Sequence, residues 1–110
     1  MITFSGATIS VNGHSFQMEY PVEEAFEADN KVIALLDPDA FVEKFGQFNN
    51  LCAVDLSGRR LWTAELPTTD SGDRYYKVAS RTPLIAYSIW SYECEIDADT
   101  GRIRRRTFFK

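Results

Sequence analysis

The chain has 110 residues, a formal net charge of −4, and 45% hydrophobic against 25% charged residues. That length suits one domain, residues 1–110, with a core of its own, and the composition is that of an ordinary globular protein rather than a disordered or fibrous one. No apolar stretch approaches the ~20 residues that a membrane-spanning helix requires, and Met1 to Gly6 has neither a basic segment nor a long apolar run, so no secretory signal is read and the expected compartment is cytoplasmic.

Thr8 to Met18 reads as a β-hairpin. Ile9 and Val11 alternate with small polar residues, as do Phe16 and Met18, and Asn12-Gly13 supplies the two positive-φ positions of a type I′ turn. Pro21 ends that strand. Val22 to Ala28 and Lys31 to Leu36 follow as a second hairpin around Asp29-Asn30; Glu23-Glu24-Ala25-Phe26-Glu27 also has the composition of a helical turn, but Val22, Phe26 and Val32-Ile33 fit strands. Asp37 to Gly46 is the one predicted helix, with Asp37 as N-cap, Pro38 at the first helical position, Phe41, Val42 and Phe45 as an apolar stripe and Gly46 as its end.

Asn50 to Leu66 carries the strongest hairpin signal. Two apolar runs, Leu51–Val54 and Leu61–Leu66, flank a turn at Asp55–Gly58. Trp62 shares a strand face with Ala64 and Leu66 and is expected to be buried. Pro67 to Asp73 is polar and is expected to be a mobile connection. Arg74 to Ser80 and Pro83 to Trp90 are rich in the residues that strands favour, and Tyr92 to Asp97 pairs with Arg102 to Phe109 around Ala98-Asp99-Thr100-Gly101. The expected fold is all-β with one short helix, an antiparallel meander of about ten strands.

Two residue spacings tie the halves together. Cys52 and Cys94 each stand three residues before the aspartate that opens a turn, Asp55 or Asp97. Reduced, buried and separate thiols are expected in a cytoplasmic protein, so neither a disulfide nor a metal should be needed for folding. Ala53-x-Asp55, Ser57-Gly58 and Trp62 resemble the repeat of quinoprotein-type β-propellers, Ala-x-Asp-x-x-Thr-Gly-x-x-x-Trp, with one residue fewer before Ser57 and with Ser in place of Thr. Asp97-Ala98-Asp99-Thr100-Gly101 keeps the spacing but has Glu95 for Ala and Arg105 for Trp, and the two glycines fall a blade-sized interval apart. The resemblance implies two blade-like four-stranded units, Val22 to Leu66 and Arg74 to Phe109, after the N-terminal hairpin, with Trp62 packed between blades. Two blades cannot close a ring, so closure is expected from face-to-face packing of the sheets or from association of two chains. No residue here matches the family's quinone or metal site, so no cofactor and no dehydrogenase activity carry over.

The chemistry-bearing residues are sparse. His14, the single histidine, sits at a hairpin tip, where a general base would still lack a partner and a pocket. Asp97-Ala98-Asp99 begins like a calcium loop but lacks the downstream bidentate glutamate, and reads as a turn. Arg102, Arg104, Arg105 and Arg106 with Phe108, Phe109 and Lys110 make a basic, aromatic tail. Strict alternation would put Arg102, Arg104 and Arg106 on one face and Ile103 and Arg105 on the other, with Glu93 and Glu95 in reach for cross-strand pairs. An acidic chain opposes a phosphate backbone, so nucleic acid is an unlikely partner.

Charge is uneven along the chain. Residues 1–55 carry nine acids and two bases, residues 56–110 seven acids and ten bases. Glu19, Glu23, Glu24, Glu27, Asp29, Asp37, Asp39 and Glu43 cluster with only Lys31 and Lys44 among them. Such crowding repels itself and would attract a basic partner, with Phe41 and Phe45 as apolar anchors. The sequence therefore points to a non-catalytic protein-binding module with a basic protein partner, in the manner of an immunity or inhibitor protein that neutralises a basic toxin such as a nuclease. The other readings are a small hydrolase using His14 with nearby carboxylates, and a structural or oligomeric propeller-like fragment.

Overall fold

The computed structural model describes residues 1–40 and 46–109. Among them the chain forms eleven strands: β1 Ile2–Ser5, β2 Thr8–Val11, β3 His14–Gln17, β4 Val22–Ala28, β5 Lys31–Leu36, β6 Leu51–Asp55, β7 Arg60–Thr63, β8 Tyr75–Ser80, β9 Leu84–Ser88, β10 Tyr92–Ile96 and β11 Ile103–Phe108. Each pairs antiparallel with its neighbour in sequence, giving a three-stranded sheet β1-β2-β3 and two four-stranded sheets, β4-β5-β6-β7 and β8-β9-β10-β11. The hairpins follow from turn chemistry. Asn12 and Gly13 have φ of 50° and 86°, and Asp29 and Asn30 have 51° and 62°, the left-handed pairs that match strand twist.

The first sheet corrects the expected two-stranded hairpin. Ile2-Thr3-Phe4-Ser5 alternates apolar and polar and pairs with β2 in the register Ile2↔Val11 to Ser5↔Thr8. The helix predicted over Asp37–Gly46 falls largely on residues outside those described. Its first residues make a turn in which Asp37 Oδ1 accepts from the Asp39 amide at 2.9 Å, and no helix occurs among the described residues.

The three sheets stack in one sense. Val32, Ala34, Leu36, Cys52 and Val54 of the second sheet pack against Ile9 and Val11 of the first. On its other side Ile33, Leu35, Leu51, Ala53 and Trp62 pack against Leu84, Ala86, Cys94 and Ile96 of the third. β5 is buried along its whole length because it serves both layers, which is why it reads as a continuous apolar run. Aligning Asp55 with Asp97 sets Cys52 on Cys94 and Val54 on Ile96. Each four-stranded sheet thus turns the same face toward its predecessor: the packing is head to tail, not the face-to-face sandwich. It also places the two free, buried cysteines in different layers.

The joints between sheets rest on two glycines. Trp62 reaches from β7 into the β10–β11 turn, where its Nε1 donates to Ala98 O at 2.9 Å. A Cβ on Gly101 would lie 2.6 Å from the Trp62 ring. Phe16 of β3 sits the same way on the β6–β7 turn, 2.6 Å from a Cβ on Gly58. Chain segments cross the second joint as well. The Glu65 amide donates to Gly101 O at 3.0 Å, so the strand expected over Arg60–Leu66 stops at Thr63 and joins the next sheet.

Candidate functional site

The acidic residues do not form one patch. Glu19 lies beside the β7 edge of the second sheet, where both its oxygens accept from Arg60 Nη2 at 2.6 and 2.9 Å. The remaining carboxylates follow the opposite edge, β4, which pairs only with β5. Glu24 there is paired with Arg81 at 3.0 Å, and the Arg81 guanidinium stacks 4.5 Å from the Phe26 ring, bridging the second and third sheets. A register shift between Val22 and Glu24 pushes Glu23 out of the ladder. Glu23 and Glu27 on the strand and Asp29 at the turn are exposed, and among the described residues no ion pair neutralises them. Asp39 adds a fourth exposed carboxylate at the end where Asp37 closes onto Pro21 O through its amide. The structure therefore gathers Glu23, Glu27, Asp29, Asp37 and Asp39 along one free edge, and sets Glu19 apart from them. Phe41, Glu43 and Phe45 lie outside the described residues.

Lys31, one of the two cations within this acidic stretch and the one among the described residues, is turned away from it. Its stem is buried and its Nζ lies 3.6 Å from Asp99 of the third sheet. An alkyl stem under apolar cover with its charge led to the surface is the usual way to bury lysine.

Three arginines of the basic tail are engaged within the chain, whereas Arg102 is exposed and makes no ion pair among the described residues. Arg104 pairs with Asp97 at 3.5 Å and Arg105 with Glu95 at 3.1 Å, while Arg106 donates to Pro67 O and stacks over Tyr92. A β-bulge between Glu95 and Ile96 corrects the expected faces. It lets Arg104 slip out of register, so Ile103 packs on the core with Arg106 opposite Cys94, and Arg105 faces outward beside Glu95. The cross-strand pair expected for Glu95 is present.

His14 is exposed, with its ring 6.3 Å from Phe16, and among the described residues no carboxylate is hydrogen-bonded to it. Among the described residues no group of three or more His, Cys, Asp or Glu is placed to hold a metal, and no helix is long and apolar enough to cross a membrane. Burial pushes the Cys52 and Cys94 thiols up to about 11, so both remain protonated at neutral pH.

The Pro67–Asp73 connection, expected to be mobile, is tied down. Gln47 Nε2 donates to Thr68 O at 2.6 Å, Thr68 Oγ1 to Asp73 Oδ2 at 2.6 Å, and the Phe48 amide to Asp73 O at 2.9 Å. Asp73 is fully buried and also accepts from Ser88 Oγ and the Arg74 amide. Three donors on a carboxylate explain how it is tolerated inside.

A surface that sequence reasoning missed lies on the outer side of the third sheet. Tyr87 projects there between Tyr76 and Phe109, whose ring centroids are 6.2 and 5.1 Å away, with Lys77 Nζ 6.0 Å from its ring. The alternating burial of Leu84–Ser88 places Ile85 and Tyr87 on this side. The run Leu84-Ile85-Ala86-Tyr87 is apolar throughout, so its periodicity could not separate the two faces.

These features define an all-β protein of stacked, blade-like sheets. The chain belongs to the family described as a domain of unknown function (DUF7957), whose model matches residues 1–108. Its fold is similar to that of the computationally designed Ika8 protein, with 17% identity and a TM-score of 0.57 over 96% of this chain. It spans 35% of that protein's chain, and at this identity the likeness concerns the fold alone. No curated protein matches the chain.

Proposed function

We propose that this protein is a non-catalytic protein-binding module whose acidic β4 edge takes a basic protein partner. The observation that carries this reading is an asymmetry of pairing. Glu23, Glu27 and Asp29 are exposed and without an ion pair among the described residues, whereas Arg104, Arg105 and Arg106, also on the surface, each have a partner within the chain. Unpaired charge on a free edge costs little in the monomer and steers an oppositely charged partner. An inhibitor or immunity protein for a basic toxin such as a nuclease is the role this chemistry fits, and the inference to it runs from charge alone. Charge on an edge strand also discourages sheet-to-sheet aggregation. The degenerate likeness to quinoprotein-type repeats supports treating the second and third sheets as blades that serve as scaffold, with function on their edges and faces.

The test mixes the purified protein with each basic protein encoded beside its gene and measures association rates at low and high salt. A steep salt dependence is expected, removed by changing Glu23, Glu27 and Asp29 together to Lys and kept when Arg104, Arg105 and Arg106 are changed to Glu. Binding abolished by the arginine set alone, an acidic partner, or no association with any of them would overturn the proposal.

A further inference from the structure

Each joint inside this chain has the same sense, and that sense leaves two complementary faces unused. The second sheet receives the first on the face of Cys52 and Val54 and meets the third with its opposite face. The third sheet receives the second on the equivalent face, Cys94 and Ile96. What stays open is the receiving face of the first sheet and the forward face of the third. The first carries Thr3, Ser10, Ser15 and Gln17, with Ser10 and Ser15 hydroxyls 2.6 Å apart, and nothing lies within 4 Å of a Cβ on Gly13 at its turn. The second carries Tyr87 in its aromatic setting, Ile85 and the Glu95–Arg105 pair, with Arg105 at the position that Trp62 holds in the preceding sheet.

We propose that these two faces meet between copies of this chain, the third sheet of one copy stacking on the first sheet of the next. The occupant is a second copy because the chain itself supplies both halves of a joint it already makes twice. An interface joining unlike faces closes a ring of two or more chains where the rotation per chain divides a full turn, and otherwise gives an open chain of subunits. Its chemistry is tyrosine, carboxylate and guanidinium against hydroxyls, so it gains hydrogen bonds more than apolar burial and the association is weak and concentration-dependent.

Sedimentation velocity over a concentration series tests this. The wild type should populate species larger than the monomer as concentration rises. Ser10→Lys with Ser15→Lys blocks one face, and Tyr87→Lys blocks the other; each variant should remain monomeric and melt within a few degrees of the wild type. Mixed in equal amounts, the two should form a two-chain complex and stop there, because only one open face of each kind is left. If Tyr87→Lys does not fold, Glu95→Lys places two like charges beside each other on the same face and serves in its place. A monomeric wild type at every concentration, a singly blocked variant that still self-associates, or a mixture that stays monomeric would each overturn the proposal. Reversal of Glu23, Glu27 and Asp29 touches a different surface and should leave self-association intact, so the outcome is independent of the partner-binding reading.

Discussion

The two joints between sheets use one device at different strengths. Between the second and third sheets a tryptophan seats on a turn glycine, is only 7% exposed, and is fixed by a hydrogen bond from its Nε1 to Ala98 O. The buried Asn50 spans the same joint, its Nδ2 donating to Leu36 O and Tyr75 O and its Oδ1 accepting from the Tyr75 amide. Between the first and second sheets the corresponding ring is Phe16, half-buried and with no polar handle. The Glu19–Arg60 pair nearby is exposed, and exposed pairs contribute little. Apolar contact holds both joints together, and the Val22 amide donates to Gly6 O at 2.8 Å across the first, but buried side-chain hydrogen bonds fix only the second. A ring with a polar tip and a buried amide thus turn a generic sheet contact into a specific one.

The largest expected effect is on the stronger joint. Trp62→Ala should cost about 3–5 kcal/mol, since it empties a core site and strands Ala98 O. Phe16→Ala should cost about 1–2 kcal/mol, in proportion to the part of the ring already in water. Denaturant unfolding measures both, and equal losses would erase the distinction between the joints.

The glycines sharpen the comparison. Gly58 and Gly101 have φ of 97° and 78°, where any Cβ is strained. At Gly101 a methyl would also meet the buried Trp62 ring and stand 3.2 Å from Thr63 O, neither of which can yield. Gly101→Ala should therefore cost about 2–4 kcal/mol. At Gly58 the obstacle is the half-exposed Phe16 ring, which can swing toward solvent, so Gly58→Ala should cost about 1–2 kcal/mol. Gly58→Ala combined with Phe16→Ala should be nearly as stable as Phe16→Ala with strain alone added; a larger loss would mean that the glycine does not serve that ring.

How far the sequence discloses these features depends on the range of the interaction. Hairpins set by two-residue turns were readable from Asn12-Gly13 and Asp29-Asn30, and the strands Val22–Ala28, Lys31–Leu36 and Leu51–Asp55 occur as expected. Trp62 was legible as a core anchor because its strand face is apolar. β1 was missed although Ile2-Thr3-Phe4-Ser5 alternates and Gly6, at φ 56°, marks its turn; a four-residue strand is a weak signal on its own. The bulge at Glu95/Ile96 left no mark in the pattern, and it alone inverted the faces of the arginine strand. The acidic cluster was visible as composition, but its division between two sheet edges depends on topology, and the partners that neutralise Glu19 and Glu24 come from distant segments, Arg60 and Arg81.

The smallest expected effect separates the two turns by their response to acid. Asp55 Oδ1 accepts from the Ser57 hydroxyl at 2.7 Å and from the Ser57 and Arg59 amides at 2.9 Å each. These bonds, the Ser57 hydroxyl foremost, hold its carboxyl below the usual aspartate range. Asp97 is also lowered, chiefly by the Asp99 amide at 2.8 Å, with Arg104 assisting. A carboxylate whose folded pKa is depressed contributes stability that is present above its unfolded value, near about 3.9, and is lost as pH falls through the lower folded value. Asn at either position keeps an acceptor for the turn but does not titrate. Unfolding measured at neutral pH and at a series of pH values below about 4 should therefore show a shallower acid slope in Asp55→Asn and in Asp97→Asn than in the wild type. The change should be larger at Asp55, which accepts three short hydrogen bonds from neutral donors, and only weakly sensitive to salt there, where the Arg59 charge is the smallest cause. At Asp97 added salt should shrink it, because part of the effect is the attraction of Arg104. If Asp97→Asn flattens the slope more than Asp55→Asn, or if salt acts equally on both, the two turns are not held by the different bonds described, and the weaker joint does not have the better-fastened turn.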